Sequence, residues 1–157
     1  MRIGVGFDVH RLVEGRRLFL GGIEIPYHQG LLGHSDGDVL IHAICDALLG
    51  AIAEGDIGVY FPDRDETIKD IRSTVILSHI TNLIKGKGFR VVNIDTVVIT
   101  EEPRIYSYRE DMKSVIAEIL NIDRGGVGIK GKTTEGLGFT GRGEGIAAHA
   151  VARVENL

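Results

Sequence analysis

The sequence has 157 residues, with a single cysteine, no tryptophan and only three prolines. One cysteine cannot form an internal disulfide and cannot build a zinc site from cysteine pairs. Aromatic residues make up only 6% of the chain. A basic excess is also missing, because 18 basic residues stand against 22 acidic ones, giving a net charge of −4. This balance disfavours a protein that coats nucleic acid.

Long hydrophobic runs are missing as well. The longest apolar stretch, residues 39–53, is interrupted by His42 and Asp46 and is shorter than the ~20 residues that cross a bilayer. The first ten residues are too few and too polar for the apolar core of a secretion signal. We therefore expect a cytoplasmic protein with no membrane partner, which agrees with its single thiol.

Glycine is the residue present in excess, at 22 of 157 positions, against a usual share of ~7%. Such an excess indicates tight turns and close approach of the backbone to a ligand. Apolar residues at 43% and charged residues at 25% are typical of a folded globular chain.

Hydrophobic periodicity predicts a single α+β domain over residues 1–157. Strands are predicted at 1–10, 89–100, 126–132 and 146–154, with a hairpin at 17–25 that turns at Gly21 and Gly22. Helices are predicted at 38–53, 66–85 and 103–120. The second helix is expected to direct inward Ile68, Ile71, Val75, Ile76, Ile80 and Leu83.

Asp8, His10 and His42 form a candidate metal site. Asp8 and His10 are two residues apart in the first predicted strand, so their side chains share a face, and His42 lies on the next helix. One carboxylate and two imidazoles suit a tetrahedral zinc with one position open for catalysis. Spacing alone leaves open that Asp8 caps a turn and that the histidines are ordinary.

Two carboxylates flank His42 at a spacing of four. Asp38, His42 and Asp46 stack on one helix face, where a carboxylate can orient a liganding imidazole. Alternatively, Asp38 is the helix N-cap and Asp46 is solvated. His34 and Ser35 precede this helix, whose N-terminus favours phosphate, although a plain polar turn also fits.

Residues 126–133 match the phosphate-loop pattern G-x-x-x-x-G-K-[ST] literally. We reject that interpretation because Val127 and Ile129 alternate as in a strand, and because glycines rather than a long helix follow Thr133. A weaker interpretation stands, in which Lys132, Thr133 and Thr134 hold phosphate and Glu135 holds a hard divalent cation.

Three further features allow only modest predictions. Arg142 lies among glycines and can receive an anion, or it is simply an exposed loop residue. Cys45 is expected in the core. Residues 60–62 are expected to anchor a loop.

Taken in order, the motifs resemble those of one family. They are the runs 6–11, 33–38, 46–51, 55–58, 61–63 and 135–145, together with His42. The run Leu137 to Gly145, LGFTGRGEG, is the most specific. The chain resembles the 2-C-methyl-D-erythritol 2,4-cyclodiphosphate synthase family over essentially its whole length.

The resemblance implies a reaction and an assembly. The substrate would be 4-diphosphocytidyl-2-C-methyl-D-erythritol 2-phosphate, whose 2-phosphate attacks the β-phosphorus to release CMP and form the cyclic diphosphate. The fold would be a mixed β-sheet with helices on one face. Three such subunits would form a homotrimer with sites between neighbours.

The resemblance also implies residue roles. Asp8, His10 and His42 would bind zinc, and a magnesium or manganese ion would bridge Glu135 and the substrate diphosphate. His34 and Thr133 would stabilise the transition state. The remaining substrate contacts would come from Asp8, Val9, His10, His34, Ser35, Asp56, Ile57, Gly58, Phe61, Pro62, Asp63, Arg64, Asp65, Thr100, Glu101, Glu102, Pro103, Arg104, Ile105, Tyr106, Lys132, Thr133, Thr134, Glu135, Phe139 and Arg142.

One stretch departs from the family pattern. Glu101 and Arg104 stand where many relatives carry Gln and Lys, so their side-chain roles stay open. Two other functions also remain open: a non-catalytic trimeric sensor of similar build, which needs no metal triad, and a nucleotide hydrolase, which needs Lys132.

Overall fold

A computed structural model describes all of residues 1–157. Its centre is a mixed five-stranded sheet in the order β4-β1-β7-β5-β6. The bounds are β1 Arg2–Glu14, β4 Gln29–Leu31, β5 Phe89–Ile99, β6 Val127–Lys132 and β7 Gly145–Asn156. Only β5 and β6 run parallel. A separate hairpin joins β2 Leu18–Leu20 to β3 Ile23–Ile25, as predicted.

Helices cover one face of this sheet. The long ones are α1 Val39–Ala51, α3 Ser73–Gly86 and α4 Arg109–Leu120, and the short ones are α2 Ile57–Tyr60 and α5 Gly138–Gly141. The predicted α+β class and the one-sided arrangement of helices are confirmed. No helix is both long and apolar enough to span a bilayer.

Helix α1 lies directly on strand β1 because glycines occupy the inner face of the strand. A Cβ atom added to Gly6 would lie 1.9 Å from the Ala43 carbonyl oxygen, and one added to Gly4 would lie 2.0 Å from that of Ala47. Nearly all of α1 is buried, including Cys45 in its expected core position. The glycines therefore bring the helix backbone close to the strand that carries Asp8 and His10.

The opposite face of the central strands is apolar and uncovered. Val5 is 68% exposed and Phe7 is 51% exposed, and the same surface contains Ile3, Val9 and Val151. The Phe7 ring packs against His149 of β7, with ring centroids 4.6 Å apart. This surface is larger and more continuous than scattered apolar residues, and such patches mark interaction sites.

Two predicted helices start later than expected. The segment 66–85 begins with a single 3₁₀ turn at Glu66–Ile68, and its α-helix starts only at Ser73. The chain turns in between, with Asp70 in the left-handed region at φ 59°. Val75 is 54% exposed, so its predicted inward position is wrong. The segment 103–120 is helical from Tyr106, first as a 3₁₀ turn and then as α4.

Residues 126–133 do not form a phosphate loop. Residues Val127–Lys132 are strand β6, paired with β5 from Ile94 to Ile99. The helix that follows, α5, has only four residues. The rejection of the phosphate-loop interpretation is thus confirmed.

Candidate metal centre and its cavity

Asp8, His10 and His42 converge at the middle of β1, beside the first turn of α1. Asp8 Oδ2 lies 2.8 Å from His10 Nε2 and 3.1 Å from His42 Nδ1. The two imidazole nitrogens lie 3.1 Å apart. The three side chains form the candidate metal-ligating group of this chain. The predicted cluster is therefore assembled, and Asp8 does more than cap a turn.

The second nitrogen of each imidazole has its own partner. His10 Nδ1 lies 2.5 Å from the Leu32 carbonyl oxygen, which can only accept, so Nδ1 carries a proton and Nε2 faces the cluster. His42 Nε2 contacts two hydroxyls, Ser35 Oγ at 3.0 Å and Ser73 Oγ at 2.9 Å. Such partners fix the orientation of liganding imidazoles.

The ionisation of the cluster follows from its contacts. Burial by itself would raise the pKa of Asp8, but hydrogen bonds and charge from His10 and His42 hold that pKa well below its usual value. Burial would lower the pKa of His10, but the Asp8 carboxylate and the Leu32 carbonyl raise it. In the metal-free chain, Asp8 and His10 thus favour an ion pair.

The two flanking carboxylates have separate roles. Asp38 is the N-cap of α1, accepting from Ile41 N at 3.1 Å, and it also accepts from the backbone N–H groups of Gly21 and Gly22. Burial and the neighbouring Asp36 raise the pKa of Asp38. Of the two interpretations, the cap is the correct one: the Asp38 carboxylate makes no hydrogen bond to the His42 imidazole, and the two residues are joined only by the helical bond from His42 N to the Asp38 carbonyl oxygen.

Asp46 is half-buried rather than fully solvated. It accepts a hydrogen bond from Ile57 N at 2.9 Å and so holds the start of α2 against α1. Burial, together with the charges of Asp56 and Asp8, raises the pKa of Asp46. The carboxylate therefore positions the 56–58 segment of the predicted substrate site.

A cavity of about 370 Å³ opens beside the metal ligands. It is lined by Asp8, His10, His34, Ser35, His42, Asp46, Ile57, Gly58, Phe61 and Asp63, with apolar walls from Leu32, Ile68, Ile71 and Ile76. His34 Nε2 donates to the Asp65 carbonyl oxygen at 2.8 Å, which ties the two predicted substrate loops together. Phe61 also packs edge-on against His79, as expected of a loop anchor.

A second cavity, of about 210 Å³, lies where β5 and β6 end. Its walls include Thr100, Glu101, Arg104, Ile105, Tyr106, Lys132 and Thr133. No residue lines both this cavity and the metal cavity. Within one chain, the predicted site residues that line a cavity thus fall into two separate groups.

Glu101 has a side-chain contact that sequence reasoning left open. Its Oε1 accepts from Thr134 N at 3.0 Å and from Gly136 N at 3.3 Å, so it anchors the loop after β6. Glu135, in that loop, is exposed and adopts φ 54°. Its carboxylate lies 3.4 Å from Thr133 Oγ1.

The remaining predicted contacts lie outside both cavity linings. They are Val9, Asp56, Pro62, Arg64, Asp65, Glu102, Pro103, Thr134, Glu135, Phe139 and Arg142. Arg142 pairs with Glu144 across 2.8 Å and is exposed. Arg104 is exposed and lies 4.0 Å from Glu102.

Sequence reasoning missed Ser73. This buried hydroxyl contacts His42, yet the predicted helix over 66–85 placed it mid-helix rather than at a helix start. A serine at this position was itself a signal, because Ser favours the beginnings of helices.

The one-sided sheet and its polar cavity with three convergent ligands define a class, that of small α+β proteins with a metal-competent site between the sheet and its first helix. Comparison with family models matches residues 1–155 to the YgbB family. The 2-C-methyl-D-erythritol 2,4-cyclodiphosphate synthase of Syntrophomonas wolfei is 56% identical over 155 residues, 99% of either chain. The chain therefore belongs to the YgbB family, the family of these synthases.

Solved structures agree with this membership. A 2C-methyl-D-erythritol-2,4-cyclodiphosphate synthase in its CDP-bound form has a TM-score of 0.90 at 36% identity, with 98% of this chain and 100% of that chain covered. The bifunctional IspDF of Campylobacter jejuni has a TM-score of 0.96 at 40% identity. The match covers 99% of this chain but only 42% of that longer protein.

Proposed function

We propose that the chain converts 4-diphosphocytidyl-2-C-methyl-D-erythritol 2-phosphate to 2-C-methyl-D-erythritol 2,4-cyclodiphosphate and CMP. This step belongs to the non-mevalonate route to isoprenoid precursors, in the cytoplasm. The observation that carries the proposal is the Asp8, His10 and His42 cluster on one cavity wall with His34 and Ser35. An oxygen of the 2-phosphate bonds to the β-phosphorus while the bond from that phosphorus to the CMP oxygen breaks, so CMP leaves with the electron pair.

The cluster fits a divalent metal ion, and we assign it to zinc. Zinc bonds of ~2.0–2.2 Å require neighbouring donor atoms roughly 3.3 Å apart, and the three donors lie 2.8–3.1 Å from one another. An expansion of a few tenths of an ångström suffices. When held by Asp8, His10 and His42, zinc would supply positive charge to a substrate phosphate.

His34 and Ser35 hold the methylerythritol phosphate in this proposal. Because His34 Nε2 donates to the Asp65 carbonyl, its Nδ1 is the nitrogen left for substrate. Asp46 and the 56–58 segment then fix the polyol in a folded shape. Holding a flexible substrate in this way supplies much of the rate, because the nucleophile is part of the same molecule.

The second cavity takes the cytidine half. Backbone groups of residues 100–106 recognise cytosine, and Lys132 to Glu135 hold the diphosphate with Thr133 at the transferring phosphate. Phe139 and Arg142 complete the pocket. Glu135 would hold a magnesium or manganese ion, since a hard cation prefers oxygen ligands, and the ion would supply positive charge to the substrate diphosphate.

The two halves meet when a second subunit is present. The uncovered apolar face of β1 and β7 gives the chain a surface for copies of itself, and three copies close a ring. In that ring, the metal cavity of one subunit faces the cytidine cavity of its neighbour. The split of the site within one chain supports this assembly.

Incubation of the protein with the cytidyl substrate, zinc and magnesium tests the activity. Phosphorus NMR should show CMP and a cyclic diphosphate appearing in equal amounts. The His42→Ala variant should form neither product while staying folded. Release of inorganic phosphate instead would contradict the cyclisation.

Reassembly of two inactive variants tests the shared site. His42→Ala and Glu135→Ala are dissociated together and reassembled at equal concentration. Random mixing makes about three quarters of the trimers mixed, and each mixed ring contains one intact site of three. Activity should return to about one quarter of wild type. A mixture that stays inactive after confirmed subunit exchange would exclude a site made by two chains.

A further inference from the structure

Ser73 reaches the metal centre because the helical structure is interrupted between residues 68 and 73. The segment before α3 pairs with the loop before α1, through Asp70 N to the His34 carbonyl at 2.8 Å and Asp36 N to the Ile71 carbonyl at 3.1 Å. This pairing brings the fully buried Ser73 against the His42 ring, on the edge away from Asp8. The first residue of α3 is thereby part of the surroundings of a metal ligand.

The hydroxyl of Ser73 has two partners and one proton. Ser73 Oγ lies 2.5 Å from Asp36 Oδ1 and 2.9 Å from His42 Nε2. The Asp36 carboxylate acts only as an acceptor, since it also receives Ser73 N, Asp38 N and Arg72 Nε. The hydroxyl proton is therefore directed to Asp36, and the oxygen is left to accept from His42 Nε2.

We infer that Ser73 and Asp36 are positioning residues that fix the tautomer of His42. The proton of the neutral ring stays on Nε2, and the Nδ1 lone pair faces Asp8 and His10, where a metal binds. The inference rests on the proposed metal site. It assigns no contact with substrate to either residue.

Ser35 cannot replace Ser73 in this role. Ser35 Oγ also lies 3.0 Å from His42 Nε2, but it accepts from Gly37 N and has no carboxylate partner for its own proton. It can accept from Nε2 or donate to it, so it suits either tautomer. Only the Ser73 hydroxyl, which donates its proton to Asp36, favours a single tautomer of His42.

Arg72 holds Asp36, the residue of this hydrogen-bonded series that is furthest from the metal site. Arg72 lies over the Phe19 ring at 4.2 Å, donates to the Gly22 carbonyl at 3.2 Å and pairs with Asp36 at 3.1 Å. The hairpin β2–β3 thus holds Arg72 against the Asp36 carboxylate and keeps that carboxylate in place. A charge-assisted hydrogen bond from Ser73 to Asp36 is correspondingly strong.

Without the Ser73 hydroxyl, the His42 tautomer that is protonated on Nδ1 should become more populated. Asp8 Oδ2 lies 3.1 Å from His42 Nδ1 and attracts a proton to that nitrogen. Ser35 can then donate to the bare Nε2. A metal must displace the Nδ1 proton before it binds, so zinc affinity should fall roughly 10–100-fold, the range for loss of a partner behind a metal ligand.

The test compares four variants in metal-free and zinc-bound protein. Nitrogen–proton correlation NMR reads the tautomer of His42 above the ordinary imidazole pKa of ~6.5, with its signals identified by their loss in His42→Ala. Zinc affinity is measured by competition with a chromophoric chelator. The variants are Ser73→Ala, Ser73→Thr, Ser35→Ala and, as a control for a buried hydroxyl elsewhere, Thr96→Val.

We expect the Nε2–H tautomer in wild type, in Ser35→Ala and in Thr96→Val. Ser73→Ala should shift it to Nδ1–H and weaken zinc binding, and Ser73→Thr should restore both. A wild-type ring protonated on Nδ1 overturns the inference by itself, even if Ser73→Ala fails to fold. So does a Ser73→Ala variant with wild-type tautomer and zinc affinity. Failure of wild type to bind zinc would instead overturn the proposed metal site, and the tautomer would still decide the role of Ser73.

Discussion

Replacing Gly6 by alanine should damage the fold and the metal site together. The new Cβ would lie 1.9 Å from the Ala43 carbonyl oxygen and 2.7 Å from Ala47 N, both backbone atoms of α1. Because ordinary contacts begin near 3.4 Å, helix and strand must separate by about 1.5 Å. No rotamer change relieves a contact between a strand and the backbone of a helix.

The energetic cost should reach the upper end of the overpacking range, about 3 kcal/mol. The loss of zinc affinity should be larger than this loss of stability would suggest. His42 adjoins Ala43, and its Nδ1 lies 3.1 Å from Asp8 Oδ2, whereas metal–ligand distances tolerate changes of only about 0.2 Å. Zinc affinity should fall at least ~100-fold, more than for loss of a single supporting hydrogen bond.

Urea unfolding of metal-free protein and chelator competition for zinc measure the two effects. Gly4→Ala is a matched comparison, because it meets Ala47 O at 2.0 Å but lies further from His42. It should lose similar stability and less zinc affinity. Gly50→Ala is the control, since its Cβ finds only ordinary contact at 3.7 Å, and it should gain up to ~1 kcal/mol in helix stability. A Gly6→Ala protein with wild-type stability and zinc affinity would refute the close-packing argument.

Three further predictions concern stability, each measured by urea unfolding of the metal-free protein. The lowered pKa of Asp8 contributes stability above the unfolded pKa of ~3.9, and this stability is lost as the pH falls; the raised pKa of His10 contributes stability below the unfolded pKa of ~6.5, and this stability is lost as the pH rises. The free energy lost in Asp8→Asn should therefore be greatest between these two pH values. A loss that does not depend on pH would contradict the ion pair. Asp38→Ala removes the cap of α1 at Ile41 N and leaves the N–H groups of Gly21, which is buried, and Gly22, which is partly buried, without their acceptor. It should cost about 3 kcal/mol, and a loss below ~1 kcal/mol would contradict this role. Leu48→Ala, at a fully buried position, should cost ~2–5 kcal/mol, whereas Leu32→Ala, at a half-exposed one, should cost much less.

Periodic segments were predictable from the sequence because each buries one face. The strands at 89–100 and 146–154 and the helix at 38–53 match β5, β7 and α1 to within a few residues. The predicted helix at 66–85 was wrong at its start, because the helical spacing of apolar residues continues through the turn at 69–72. What stops the helix there is tertiary pairing with the 33–38 loop, which no local pattern reveals.

The metal cluster was predictable for a similar reason. Asp8 and His10 share a strand face by local geometry, and His42 follows on the next helix. The contact between Ser73 and His42 joins residues 31 positions apart, so spacing could not find it. The fixed role of Glu101 was equally hidden, since it depends on the backbone of residues 134–136.

The neighbouring positions of β1 and β7 have a consequence for how the chain folds. These are the first and last strands in sequence, yet they pair from Arg2 with Val154 to Arg11 with Gly145 at the centre of the sheet. Closing a loop of this length costs about 4 kcal/mol of chain entropy, and such distant pairing slows folding. During synthesis β1 must therefore wait, with Asp8 and His10 already made, until the last strand has left the ribosome.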